Sequence, residues 1–158
     1  MATLATLATP GAIIQHVPDL EADEQPVRFA YASPAAHAWC LTVLPGMARD
    51  RGRNETPFEQ VEQVLFEFTV GRPMAYDVTY KKLDPLGQHV WELKTVDVRL
   101  IGWFARKGCF VIVCAEMKRQ LRQARLYRPL IDATVAFRAS LDLDPPKEIT
   151  GVRHHDVL

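Results

Sequence analysis

The sequence predicts an α+β domain, an antiparallel sheet with helices packed on one face. Three observations carry that expectation. Two helical patterns bounded by proline and glycine come first, three strand-like segments follow one another between Val90 and Glu116, and a proline-opened helical pattern closes the domain. The order is β-α-α-β-β-β-α, and a sheet covered on one side leaves its other side free for a partner.

The first strand is expected at Val27, where Val27, Phe29 and Tyr31 alternate with Arg28 and Ala30. Ser33 before Pro34 is a helix-start signal, and Ala36, Trp39, Cys40, Val43 and Leu44 recur at the spacing of one helical face until Pro45 and Gly46. Thr56 and Glu59 form a capping box around Pro57, ahead of a second stripe of Phe58, Val61, Leu65 and Phe68 that stops at Gly71. Residues 72–89 contain Pro73, Pro85 and Gly87 and read mostly as loop, with a short strand possible in VTYKKL. The three later strands are expected at about Val90–Val96, Val98–Arg106 and Cys109–Glu116. Lys107-Gly108 marks a tight hairpin between the last two, and the nearly continuous CFVIVCA marks the most buried strand. Pro129 then opens a helix that runs to about Leu141, before Pro145-Pro146.

Length and composition suit one globular domain: 158 residues, of which 48% are hydrophobic and 24% charged. Residues 1–25, ending in PDLEADEQP, read as an acidic N-terminal extension, residues 26–145 as the domain and residues 146–158 as a C-terminal tail. An edge strand near Ile13–Val17 is the alternative for part of that extension. The opening MATLATLATPGAII has no basic leader and is broken by Pro10 and Gly11, and no apolar run approaches a membrane span, so a cytoplasmic protein without membrane contact is expected. Cys40, Cys109 and Cys114 form no CxxC pair and read as reduced, buried thiols.

Charge is distributed unevenly. Residues 1–89 carry 7 Lys/Arg against 11 Asp/Glu and residues 90–158 carry 12 against 8, which gives −4 and +4 in a chain of net charge 0. Between Val90 and Arg128 the balance is +6, and Lys118, Arg119, Arg122, Arg125 and Arg128 follow one another without an interleaved acid. An excess of that kind calls for a polyanion, an acidic protein or a solvated face.

Together these words resemble the RelE/HigB group of bacterial toxins, including phage-derived HigB-like members of toxin-antitoxin systems. The matching stretches are WELK at Trp91–Lys94, VRLIGWF at Val98–Phe104, the apolar strand ending in EMKR at Arg119, and the last helix PLIDATVAFR. The resemblance covers roughly residues 27–141. It implies the RelE-like fold and an endoribonuclease that cleaves messenger RNA, usually in the ribosomal A site, without a cofactor or a metal. It places Lys94, Arg99, Arg119 and Tyr127 in the catalytic set, and the uninterrupted run of cations, of which Lys118 also falls at the family's basic pair, adds Lys118, Arg122, Arg125 and Arg128 as RNA-binding residues. It also implies three partners: messenger RNA, the ribosome and a helix-turn-helix antitoxin. The neutral charge and the acidic extension point instead to an inactive phage or regulatory factor on the same scaffold that grips an acidic protein, and gyrase poisons share the fold group.

Cleavage through the 2′-hydroxyl needs a proton acceptor, cations around the phosphate and a proton source for the departing 5′-oxygen. Arg99 and Arg119 suit phosphate clamps because a guanidinium presents two parallel donors and stays charged. The structural reading of Arg99 is an ion pair with Glu92 or Asp97. Lys94 or Lys118 would accept a proton only with a strongly depressed pKa. Tyr127 would stack a base, donate its phenolic proton or simply pack. His89 reads as a surface residue, Trp103 as the tryptophan left partly exposed for stacking, and Asp19–Glu24 as a flap able to mask the basic face.

Overall fold

In the computed structural model, which describes residues 1–83 and 86–158, six strands form one mixed sheet. They are β1 (Ile14–His16), β2 (Phe29–Ala32), β3 (Tyr80–Lys82), β4 (Trp91–Lys94), β5 (Val98–Arg106) and β6 (Cys109–Met117), in the spatial order β1-β2-β6-β5-β4-β3. The helices are α1 (Leu4–Ala8), α2 (Pro34–Thr42), α3 (Pro57–Thr69), α4 (Lys118–Gln123), α5 (Tyr127–Ser140) and α6 (His154–Val157). Pro85, part of the case for a loop over residues 72–89, lies outside the described residues.

The α+β class holds, with two corrections. The sheet is mixed, because β2 pairs with β6 in parallel while β3, β4, β5 and β6 are antiparallel neighbours. β2 and β6 are not consecutive: the chain leaves β2 through α2 and α3, builds β3, β4 and β5 from the far edge and returns with β6 beside β2, so no hairpin imposes antiparallel pairing on the two. Helices also cover both faces. On one, Leu65 and Phe68 of α3 join Trp91, Leu100, Phe104 and Phe110. On the other, Leu4 and Leu7 of α1 pack with Trp103 and Val111, and Ile131 of α5 packs with Ile101. A strand as apolar as CFVIVCA projects hydrophobic side chains both ways, so leaving either side bare would expose them to water.

Local sequence explains the element ends. Ser33 Oγ accepts from the Ala36 N–H (3.1 Å) and donates to the Val113 carbonyl (2.8 Å), so the cap of α2 is tied to β6. The Thr56–Glu59 capping box opens α3 as the sequence predicts. Gly108 takes φ 68° in the hairpin corner between β5 and β6. Ile101 pairs with Cys114 and Gly102 with Ile112, leaving Val113 as the extra residue of a bulge. A side chain at Gly102 would run into the Val111 carbonyl oxygen, so the crossing requires glycine.

The flanking segments are built into the domain. Ile13 is fully buried, β1 extends the sheet beyond β2, and Leu4 and Leu7 are core residues. At the other terminus Trp103 Nε1 donates to the Lys147 carbonyl (2.8 Å), the Ile149 N–H donates to the Phe104 carbonyl (2.9 Å), and Val157 is buried in the α3-side core. Trp103 is therefore wholly buried instead of offering a stacking surface. Pro18 and Asp19 lie against Phe58, Glu59 and Glu62 of α3, at the β1 edge. Among the described residues, none of the basic residues discussed next lines the hollow that these side chains form.

Candidate functional site

Along β4 the alternation of a strand sends Trp91 and Leu93 into the α3-side core and Glu92 and Lys94 to the α5 side. Lys81 stands opposite Glu92 on β3, and Arg99 stands opposite Lys94 on β5. The corner between α4 and α5, where Arg125 adopts φ 52°, brings Arg122 and Tyr127 over the same patch. These six side chains line a cavity of about 360 Å³ at the β3–β4 edge, and Glu92 is its one acid among the described residues.

The strand turn that presents Lys94 and Arg99 is braced from α3. Gln60 Nε2 donates to Asp97 Oδ2 (2.7 Å), and Gln60 Oε1 accepts from Thr95 Oγ1 and from the Asp97 N–H, both at 3.0 Å. Gln60 and Asp97 are buried, so the amide fixes residues 95–97 through satisfied hydrogen bonds in a low-dielectric setting. Arg53 approaches the other Asp97 oxygen at 3.6 Å.

Glu92 is the centre of the cavity. Only 3% exposed, it accepts a hydrogen bond from Tyr127 Oη at 3.0 Å and lies 3.9 Å from Arg99 Nε. Burial pushes the Glu92 carboxyl above the usual carboxylate range, and the Arg99 charge, the Tyr127 bond and Lys94 and Lys81 oppose that rise only in part. The same burial and the neighbouring carboxylate push the Tyr127 phenol up to about 12. Its proton is held on the tyrosine, in a bond toward Glu92, so Tyr127 is placed to orient the carboxylate and is a weak proton donor to anything else.

The other predicted residues divide into two groups. Arg99 is buried, and Nη1 donates to the Val98 carbonyl at 2.9 Å and to the Thr95 carbonyl, so the Glu92 ion pair and the backbone already engage it. Lys94 Nζ donates to the Asp77 carbonyl (2.7 Å) and meets Asp77 Oδ1 at 3.2 Å, and Lys81 meets the same oxygen at 3.1 Å. Lys118 and Arg119 line an adjoining cavity of about 340 Å³, which shares Arg122 with the first. Burial lowers the Lys118 pKa first, followed by repulsion from Arg122, Arg99, Lys94 and Arg53. Arg128 is turned to an exposed pair with Asp132, 3.1 Å away, and Arg125 occupies the helix corner without lining either cavity.

The fold thus brings Lys94, Arg99, Arg122 and Tyr127 together, sets Lys118 and Arg119 beside them across Arg122, and leaves Arg125 and Arg128 outside. Sequence reasoning assigned Glu92 only as a partner for Arg99 and overlooked Lys81 and Asp77. The available signal was the alternation in WELK, which puts Glu92 on the same face as Lys94. His89, by contrast, is engaged with Lys82 at 3.3 Å.

No family model, curated protein or solved structure matches the chain. Among the described residues no helix is long and apolar enough to cross a membrane.

Proposed function

We infer that the protein is an endoribonuclease of the RelE/HigB type, acting on messenger RNA at the ribosome and held silent by a helix-turn-helix antitoxin. The observation that carries this reading is a buried carboxylate of raised pKa at the centre of a cationic cavity. A carboxylate shifted toward working pH is a better proton acceptor than an ordinary surface glutamate.

In this reading Glu92 takes the proton of a ribose 2′-hydroxyl, and the resulting oxygen attacks the adjacent phosphorus. Lys94, Lys81 and Arg122 balance the charge that grows on the equatorial phosphate oxygens. The bond from phosphorus to the 5′-oxygen breaks, and that oxygen takes a proton from the ammonium of Lys118, whose lowered pKa eases the transfer. The products are a 2′,3′-cyclic phosphate and a 5′-hydroxyl. Arg99 and Tyr127 are positioning residues here, since both act through Glu92, and Arg119 holds RNA from the adjoining cavity.

A second reading is a binding protein without nuclease activity, on the same cationic surface. It is favoured by the internal engagement of Arg99, Lys94 and Lys81 with Glu92, Asp77 and backbone carbonyls. Inducing the wild type and Glu92→Gln in a bacterial host, and mapping transcript 5′ ends, separates the two. New ends and growth arrest with the wild type alone support the enzyme. Their absence with both proteins refutes it and leaves the binding reading.

A further inference from the structure

The two edges of the sheet are finished differently. β3 carries Lys81 and Lys82, charges that discourage a further strand, whereas β1 consists of Ile14, Gln15 and His16, and burial favours the neutral form of the His16 imidazole. The backbone of β1 is open to a partner. Phe29 and Ser33 donate to the Gly108 and Ile112 carbonyls on the β6 side, so the alternate residues Ala30 and Ala32 face β1, opposite His16 and Ile14. Gln15, opposite Tyr31, therefore turns its N–H and carbonyl away from the sheet, and it is exposed. An outward N–H and carbonyl on one residue are the pair through which an extended chain attaches to a sheet edge.

Beside this edge a hollow of about 380 Å³ lies between β1 and the helices α2 and α3. Phe58, Val61, Leu65 and Ile112 are among its walls, and two further lining residues, Val17 and Leu41, are 73% and 59% exposed. Ile14 and His16 point to the same side of the sheet as Ala32 and Ala30, so the residues flanking the attachment point of an added strand would direct their side chains toward this hollow. His16 Nε2 is buried in its wall and has no hydrogen-bond partner among the described residues, which leaves a donor or acceptor for an incoming polar group. Glu62 belongs both to this hollow and to a neighbouring one of about 380 Å³, where Asp19, Glu59, Phe58 and Phe66 join it and no lysine, arginine or histidine contributes. None of the three carboxylates forms an ion pair among the described residues. Acids beside phenyl rings suit a long cationic side chain, whose stem packs on the rings while its charge meets the carboxylates.

We propose that the β1 edge docks an extended basic segment of a partner protein, which pairs with the Gln15 backbone, sets an apolar side chain in the hollow and brings a lysine or arginine to Asp19, Glu59 and Glu62. A second copy of β1 does not complement these carboxylates, because no lysine or arginine precedes Arg28 in the sequence. The docking site is at the edge of the sheet away from β3 and is independent of the reading of the cationic cavity.

Selection of a random linear peptide library on the full-length protein tests the proposal, with the enriched peptides then synthesised and measured by fluorescence anisotropy and by amide hydrogen exchange. The enriched peptides should place a lysine or arginine near an apolar residue in a stretch free of proline, and their binding should slow exchange at the Gln15 amide. Gln15→Pro removes the outward N–H without breaking the ladder to β2 and should weaken binding about tenfold, as the loss of one backbone hydrogen bond does. Glu62→Lys should weaken it at least as much. The exchange measurement on the wild type needs no variant, so it decides the matter even where the proline variant fails to fold. Enrichment of no peptide, or only of peptides without a basic residue, overturns the proposal, as do an unchanged Gln15 amide and an affinity that survives in folded Gln15→Pro. Dimerisation of the protein alone, seen by sedimentation and abolished by Gln15→Pro, would assign the edge to a second copy and overturn it as well.

Discussion

Replacing Tyr127 with phenylalanine removes one oxygen and tests the centre of the site directly. That oxygen donates to Glu92 Oε2 at 3.0 Å, and Glu92 is buried. A hydrogen bond to a charged group contributes about 1.5–3 kcal/mol, and Tyr127 is only half-buried, so a loss of about 2 kcal/mol is expected. For a chain of this length that corresponds to a fall in Tm of roughly 4–8 °C. The second consequence is chemical. The tyrosine bond helps to hold the Glu92 pKa down, so its loss should raise that pKa further and move the acidic limb of any cleavage profile to higher pH. Urea unfolding at pH 7, monitored by tryptophan fluorescence, gives the first quantity, and initial rates across pH give the second. A loss below about 0.5 kcal/mol, with an unmoved pH limb, would refute the coupling of Tyr127 to Glu92.

Other perturbations follow from the same geometry. Arg122→Ala should weaken RNA binding and lower the salt slope by about one unit, because Arg122 faces both cavities, whereas Arg128→Ala should leave the slope unchanged; fluorescence anisotropy against salt concentration checks both. Ile13→Ala should cost about 2–5 kcal/mol in urea unfolding, since Ile13 is fully buried, while the 73% exposed Val17 should tolerate alanine within about 0.5 kcal/mol. The raised pKa of Glu92 fixes the sign of a pH effect. Its contribution to stability is fully present below the ordinary value of 4.5 and is lost as pH rises through the folded value. The stability of the wild type relative to Glu92→Gln should therefore fall between acid and neutral pH; a difference that grows with pH contradicts the assignment.

Much of this fold was legible where local chemistry decides it. The Thr56–Glu59 box, Ser33-Pro34 and the Lys107-Gly108 corner give α3, α2 and the β5–β6 hairpin, because caps and tight turns depend on a few neighbouring residues. The faces of the sheet were legible in principle but misassigned. CFVIVCA reads as the most buried strand, and a segment apolar along its whole length is incompatible with a bare face; α5, which begins at Tyr127 ahead of Pro129, supplies the missing cover. The packing of residues 1–16 could not be read from periodicity, because β1 has three residues and α1 has five, too short for a pattern.

The site was legible by half. Lys94 and Arg99 converge because they face each other across a ladder, a relation that WELK and VRLIGWF contain once the hairpin is assumed. Arg125 and Arg128 follow from nothing but a run of charge, and a run that spans two helices and their corner cannot keep all its members on one side. Glu92 escaped because an acid among cations reads as a counter-ion. Its burial under Tyr127, which gives it a raised pKa, depends on where α5 begins relative to β4.

The most direct test of the central claim, that Glu92 is a proton acceptor in a phosphate-binding cavity, is cleavage of messenger RNA on programmed ribosomes by the purified protein and by Glu92→Gln, with the product ends identified. The account predicts fragments ending in 2′,3′-cyclic phosphate from the wild type, formed about 10²-fold or more slowly by Glu92→Gln. Intact RNA with the wild type, or equal rates from the two proteins, would contradict it.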